Sequence, residues 1–396
     1  KIIDDLSKIK DYESLIEIYR IYLTKTDSPE KEIEILSGLG NANKNMGKIE
    51  IAAEYFRQAL KICVKNSLSP DEVVYYLADT LFTMNSSAFA LEILKKNSPT
   101  SEDRILICRT ALLKAEILQD IEKLEEAREI TEETFHIADQ IKEIDVRFEM
   151  KADLKKMMGK VYYSWVDWNK AQTEFEDAEK LYLKVNNLEG LAAVYNNLGV
   201  LAMYRGEGKN AESLFLKSLK YEKERYNLSG ISVCYSNLGS LFEDKSDYKK
   251  SLYYLNEALK IQKLLSDRYN ITNIYLNIGV AYMDNGKYKK AEEAFSQSLG
   301  IAIEFNMYRN IIASLNNLGA LFFKSGNFQK AIDYYERAIK KSKDNNFSDG
   351  LITSYNNMGE LFEKRGEYNI AYDYYSKSKE LLPNITDEYM KAELYG

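Results

Sequence analysis

Tyr195-Asn-Asn-Leu-Gly199, Tyr235-Ser-Asn-Leu-Gly239, Tyr275-Leu-Asn-Ile-Gly279, Leu315-Asn-Asn-Leu-Gly319 and Tyr355-Asn-Asn-Met-Gly359 recur every 40 residues. A fixed period in this range is the signature of a repeat architecture and overrides any domain count made from length. Twelve residues after each glycine stands a small residue, Ala211, Ser251, Ala291, Ala331 or Ala371. Sixteen after it stands a large one, Phe215, Leu255, Phe295, Tyr335 or Tyr375, and a polar turn such as Asp284-Asn-Gly-Lys287 lies between glycine and small residue. Apolar residues at i, i+3, i+4 and i+7 on either side of that turn make each unit two amphipathic helices, a helical hairpin. A glycine inside a helix costs about 1 kcal/mol relative to alanine, so its recurrence implies close approach of a neighbour. The small residue twelve positions on is the expected partner.

The same template runs backwards through Gly159 with Ala171 and Phe175, Ala115 with Ala127, Ala78 with Ala90, and Gly40 with Ala52 and Phe56. There the intervals become irregular and the Asn-Leu-Gly signature is lost. Tyr12 and Leu15 suggest a partial first unit. About ten helix pairs, nine of them complete, are expected: irregular pairs over 1–186, five regular units over 187–383, and a capping helix within 384–396 (Asp387 to Leu394). One hairpin cannot bury its apolar stripe alone, so successive hairpins must stack into a solenoid.

This pattern resembles the tetratricopeptide repeat, over nearly the whole chain and most specifically from Asn187 to Pro383. The resemblance implies an all-α, right-handed α-α superhelix whose first helices line a concave groove. The period exceeds the family's usual 34, which implies longer helices or longer inter-repeat turns, as at Ser266 to Asn270 and Asn306 to Asn310. Long units of this Asn-Asn-Leu-Gly type are similar to those of cytosolic receptors for short peptide pheromones in Gram-positive bacteria.

Composition sets the functional bounds. The 396 residues carry 54 Lys+Arg against 61 Asp+Glu, a formal net charge of −7, which disfavours nucleic-acid binding through this segment. The 4 prolines fit long helices, since proline removes an amide donor and clashes with the preceding turn. No apolar run approaches the roughly 20 residues needed to cross a bilayer, and the start lacks a signal peptide's apolar core, so a cytoplasmic setting without membrane partners is expected. A chain that begins at Lys1 rather than Met suggests a piece of something longer.

Candidate chemistry is sparse. Cys63, Cys108 and Cys234 offer neither a disulfide framework nor a metal spacing and read as buried apolar residues. A lone histidine, His136, is no catalytic constellation. Gly206-Glu-Gly-Lys209 follows a helix rather than a strand and reads as turn chemistry, not a phosphate loop. No catalytic residue, metal or cofactor is expected. Trp165 and Trp168, and the pairs Tyr253-Tyr254, Tyr334-Tyr335 and Tyr374-Tyr375, read as packing between repeats, with one ring of each tyrosine pair reaching solvent.

The binding chemistry sits on one stripe. Offsets −6, −3, −2, +1, +4 and +5 from the glycine share a helical face. Offset −2 holds Asn197, Asn237, Asn277, Asn317 and Asn357, and offset −3 adds Asn196, Asn316 and Asn356. An amide offers both donor and acceptor, matching the N–H and C=O groups of an extended peptide main chain. The competing reading has each asparagine bonding its neighbour's turn or capping a helix. Apolar neighbours including Tyr204 and Met283 supply side-chain pockets. Upstream, Arg109, Lys156 and Lys160 form an anion anchor for a ligand's carboxylate, unless Asp153 and Glu116 neutralise them. The expected activity is non-catalytic: a receptor for a short extended peptide or protein tail, with a homodimer as a further assembly, in which the pheromone-receptor resemblance implies regulation of transcription or a phosphorelay. Alternatives are a structural scaffold for a multiprotein complex and the sensory portion of a modular signalling enzyme.

Overall fold

The computed structural model describes residue 3 and residues 11–84, 86–97 and 102–381. Among these residues there are 19 α-helices and no strands. Contacts divide the chain into two compact units, Lys1–Val185 and Asn186–Gly396.

Unit 1 contains α1 (Tyr12–Leu23), α2 (Pro29–Asn45), α3 (Ile49–Lys65), α4 (Asp71–Thr83), α5 (Ser87–Lys96), α6 (Arg104–Asp120), α7 (Leu124–Ala138), α8 (Ile144–Ser164) and α9 (Trp168–Lys184). Unit 2 contains α10 (Leu188–Tyr204), α11 (Gly208–Glu224), α12 (Leu228–Asp244), α13 (Tyr248–Leu265), α14 (Arg268–Asp284), α15 (Tyr288–Glu304), α16 (Tyr308–Lys324), α17 (Phe328–Asp344), α18 (Ser348–Lys364) and α19 (Tyr368–Leu381). Within each unit every helix packs on its chain neighbours, and the first helices of successive hairpins also touch one another. This is the α-solenoid arrangement of stacked hairpins, with α2, α4, α6 and α8 lining the inner layer of unit 1 and α10, α12, α14, α16 and α18 that of unit 2. The proposed capping helix falls outside the described residues.

The period of 40 is carried by the helices. α14, α15 and α16 are each 17 residues long and are separated by only three residues. Ser266 to Asn270 and Asn306 to Asn310 are therefore not long turns: Arg268 and Tyr308 already open helices. Each turn within unit 2 reverses the chain through one residue in the left-handed region. Inside the hairpins this is usually glycine, as at Gly286 (φ 68°), where Lys287 N–H then donates to Tyr282 O at 2.8 Å and closes the helix end. The Gly206-Glu-Gly-Lys209 segment is such a turn, with Gly206 at φ 72°.

The helical glycine has a different partner from the one expected. A Cβ on Gly279 would lie 2.3 Å from the Phe295 ring, and one on Gly319 would lie 2.3 Å from the Tyr335 ring. The same holds at Gly40 with Phe56, Gly159 with Phe175, Gly199 with Phe215 and Gly359 with Tyr375. The residue sixteen on, not the small one twelve on, thus fills the space above glycine. Helical side chains lean back over the turn N-terminal to their own Cα. A ring at +16 therefore folds back over the small residue at +12 and covers the glycine of the facing arm.

Other packing expectations meet the structure directly. Cys63, Cys108 and Cys234 are buried and free, and burial pushes the Cys108 and Cys234 thiols up to about 11. Trp165 is partly buried against the unit 1 core. Tyr253 is 61% exposed while Tyr254 stacks on Phe242 at 5.6 Å, and Tyr334 stacks on Phe322 at 5.5 Å while Tyr335 is fully buried.

Candidate functional site

In unit 2 the inner faces of α14, α16 and α18 lie side by side and enclose an open hollow of about 520 Å³. Three rows of side chains, one helical turn apart, line it: Tyr269, Arg309 and Asp349 at the entrance of the helices, Asn273, Ala313 and Thr353 next, then Asn317 and Asn357. Asn310, Asn316, Ile312, Ala320, Phe347 and Gly350 complete the lining. Steps of four residues keep each set on one face of its helix, and the 40-residue period brings equivalent positions into rows.

The amides do not all behave alike. Asn237 Nδ2 donates to Asn196 Oδ1 at 2.6 Å, joining α12 to α10. Asn317 Nδ2 donates to Ala313 O of its own helix at 3.0 Å, and Asn317 lines the hollow. Asn316 is buried and accepts from Ser354 Oγ at 3.0 Å, a bond between α16 and α18. Asn197 Nδ2 and Asn356 Oδ1 are buried, with no hydrogen-bond partner among the described residues. Asn277 is half-buried, and Asn357 borders the hollow. Tyr204 is 49% exposed in the last turn of α10. Met283 corrects the expectation: at 8% exposure it packs with Phe295, Leu318 and Leu321 in the core between hairpins, because α15 and α16 close over that side of α14.

Asn273 and Asn310 were missed as named candidates. Asn310 Nδ2 donates to both Thr272 Oγ1 (2.7 Å) and Asn273 Oδ1 (2.8 Å), tying α16 to α14. Asn273 stands at offset −6, so the stripe rule alone locates it. Asn310 stands at offset −9, one i, i+3 step before the first offset of the named stripe.

Charge gathers at the other end of these helices. Asp284 accepts from Lys324 Nζ at 2.6 Å. Burial, then the hydrogen bond and negative charge of Asp284, push the Glu243 carboxyl up to about 7.

The unit 1 inner face is built from ion pairs. Lys160 Nζ donates to Glu116 Oε1 at 2.9 Å, joining α8 to α6, and Lys156 Nζ donates to Asp153 Oδ1 at 2.8 Å. Asp153 also accepts from Tyr182, whose ring lies 5.6 Å from Lys156 Nζ. Arg109 is exposed on α6, close enough to Tyr75 for its charge to counter the rise that burial imposes on that phenol. Both lysines of the expected anchor thus already have carboxylate partners. Among the described residues no group of three His, Cys, Asp or Glu is placed to hold a metal, and no helix is long and apolar enough to cross a membrane. His136 is exposed near the end of α7.

The tetratricopeptide repeat model matches residues 190–263 and 270–344, and a second tetratricopeptide repeat model matches residues 33–63. These segments are tetratricopeptide repeats, and each unit has the fold of a tetratricopeptide-repeat solenoid. No curated protein sequence matches it. Among solved structures it is similar to a Rap protein complexed with competence and sporulation factor (13% identity, TM-score 0.58, covering 90% of this chain and 100% of that one). It is also similar to the Rap conjugation gene regulator of plasmid pLS20 in complex with the Phr* peptide (14% identity, TM-score 0.56, 98% and 96%). A third is a signal transduction ATPase with numerous domains and a tetratricopeptide repeat sensor from Pyrococcus horikoshii (14% identity, TM-score 0.56), where 96% of this chain covers 55% of that one. At these identities the likeness is one of fold.

Proposed function

We propose that this chain is a non-catalytic receptor that holds a short extended peptide, or a partner's tail, along the inner face of unit 2. The observation that carries the reading is the hollow of about 520 Å³, in which amides from three successive hairpins converge. That volume lies within the roughly 300–1,000 Å³ typical of ligand sites. Amides whose second group is engaged by the protein present a fixed donor or acceptor, and fixed groups bind an extended backbone at a lower ordering cost. Two of the similar structures are of Rap proteins described as complexed with a peptide or factor. By analogy the ligand here is a signalling peptide, in a cytoplasmic setting, and the output is regulation of transcription or a phosphorelay. In this reading Arg109, Lys156 and Lys160 receive a ligand carboxylate only by displacing Asp153 and Glu116. The Pyrococcus likeness supports a second reading, the sensory portion of a modular signalling enzyme, which uses the same groove.

The test is peptide capture by the full chain, with mass spectrometry of what co-purifies and calorimetry of the captured peptide. Asn277→Ala and Asn357→Ala should each weaken binding by about 0.5–1.5 kcal/mol with little change in melting temperature. Asn237→Ala should instead lower stability, because Asn196 Oδ1 loses its donor. Stability losses at all three positions with unchanged affinity would support a scaffold whose amides only join hairpins.

A further inference from the structure

The hollow has a floor that the fold does not require. α16 carries alanine at both inner-face positions flanking Asn317, Ala313 and Ala320, and both line the hollow. In the adjacent hairpins the equivalents of Ala320 are Val280 and Glu360 and those of Ala313 are Asn273 and Thr353, and further along unit 2 they are Val200 and Ser240, and Ala193 and Val233. Stacking of hairpins therefore tolerates branched side chains at these places. Alanine on α16 leaves space that the core does not reclaim.

A second feature faces the same space. Asn316 is only 6% exposed and lines the hollow. Its Oδ1 is taken by Ser354, but among the described residues its Nδ2 donates to no partner. That nitrogen keeps access to solvent through the hollow, so a ligand carbonyl can take the place of water on it. The charged members of the lining, Arg309 and Asp349, are of opposite sign, so the lining carries no formal net charge. Ile312 and Phe347 add apolar wall.

We infer that this hollow is the specificity pocket of the groove: it takes one large apolar side chain of an extended peptide over Ala313 and Ala320, while Asn316 Nδ2 donates to the adjacent peptide carbonyl. The inference rests on the groove-binding reading and adds what the groove selects. Main-chain contacts to amides hold many sequences equally, whereas a neutral pocket of fixed depth discriminates by side-chain size. Filling it from the protein side should invert the preference.

The experiment uses the full chain and a library of N-acetylated, C-amidated hexapeptides randomised at every position, so that terminal charges play no part. Wild type should enrich peptides with Leu, Ile, Met or Phe at one position. Ala320→Leu, and separately the double variant Ala313→Val with Ala320→Val, should shift that position to Gly, Ala or Ser and bind the wild-type consensus peptide at least tenfold more weakly. The valines copy Val233 and Val280, which other hairpins of unit 2 carry at these places, so the double variant keeps the test valid if the leucine variant fails to fold. Identical enrichment by wild type and both variants overturns the pocket while leaving groove binding standing. Enrichment of charged residues at that position also overturns it. If wild type enriches nothing, the groove-binding reading and the pocket fall together.

Discussion

Across the inner face of unit 1 the hairpins are joined by charge, Lys44 Nζ to Asp79 Oδ2 and Lys160 Nζ to Glu116 Oε1, whereas α10 and α12 of unit 2 are joined by Asn237 Nδ2 and Asn196 Oδ1. The difference bears on what each face has left to offer. An ion pair between two half-exposed side chains satisfies both charges at once, and a ligand must compete with it. An amide pair uses one donor and one acceptor and leaves the other group of each amide for a second partner. Unit 2 keeps charge toward the far end of its first helices, at Glu243, Asp284 and Lys324.

A second contrast concerns the glycine. In unit 2 all five hairpins place glycine at the repeat position, and four of the five residues sixteen on are aromatic. In unit 1 the two hairpins with alanine there, Ala78 and Ala115, have Leu94 and Thr131 sixteen on. Large ring with glycine, smaller side chain with alanine is a volume rule, from which Gly239 with Leu255 departs. It is most sharply broken by Gly279→Ala, which should destabilise unit 2 by about 1–3 kcal/mol through overpacking against Phe295, despite alanine's better helix propensity. Combining it with Phe295→Leu should cost less than the sum of the two single changes, read by chemical denaturation. Strict additivity would remove the rule.

Unit 1 should be improvable where unit 2 already is. Val166 turns the chain at φ 60°, a place that Gly206, Gly286, Gly326 and Gly366 fill in unit 2. A β-branched residue is strained there, so Val166→Gly should raise stability by about 1 kcal/mol, seen as a higher melting temperature. The reverse change, Gly286→Val, should lower it by a similar amount.

The carboxylate end of unit 2 gives a smaller, pH-dependent effect, because Glu243 is half-exposed and solvent screens it. Its folded pKa, about 7, lies above its ordinary value, so the folded state holds the proton more tightly. Its stabilising contribution is complete below the ordinary carboxylate range and is lost as pH rises through about 7. Glu243→Gln should flatten the fall in melting temperature between pH 5 and 8. An unchanged slope would show that this carboxyl does not titrate late. The smallest effect belongs to the unit 1 pair: Glu116→Gln should cost well under about 1 kcal/mol and should vanish in molar salt, since both partners are about a third exposed. If Glu116→Gln also strengthens binding of an acidic peptide, the lysines of unit 1 do act as an anchor.

The repeated Tyr-Asn-Asn-Leu-Gly segments contain the hairpin, the period and the face of each first helix, because periodicity alone decides which residues share a side of a helix. That is why Asn317 and Asn357 could be placed on the inner stripe from sequence, and Asn273 by the same rule. What periodicity cannot give is the partner of each side chain, which for Asn237 and Asn310 lies in a different hairpin. Only the packed structure separates Asn237, spent on Asn196, from Asn357, which borders the hollow, and sends Met283 into the core. It also gives the glycine its ring at +16 in place of the small residue at +12, because side-chain lean and the antiparallel pairing of the arms determine which atoms meet. The spacing of residues along one helix is intrinsic to the chain. The chemistry left over for a ligand depends on which groups the neighbouring hairpins have already used.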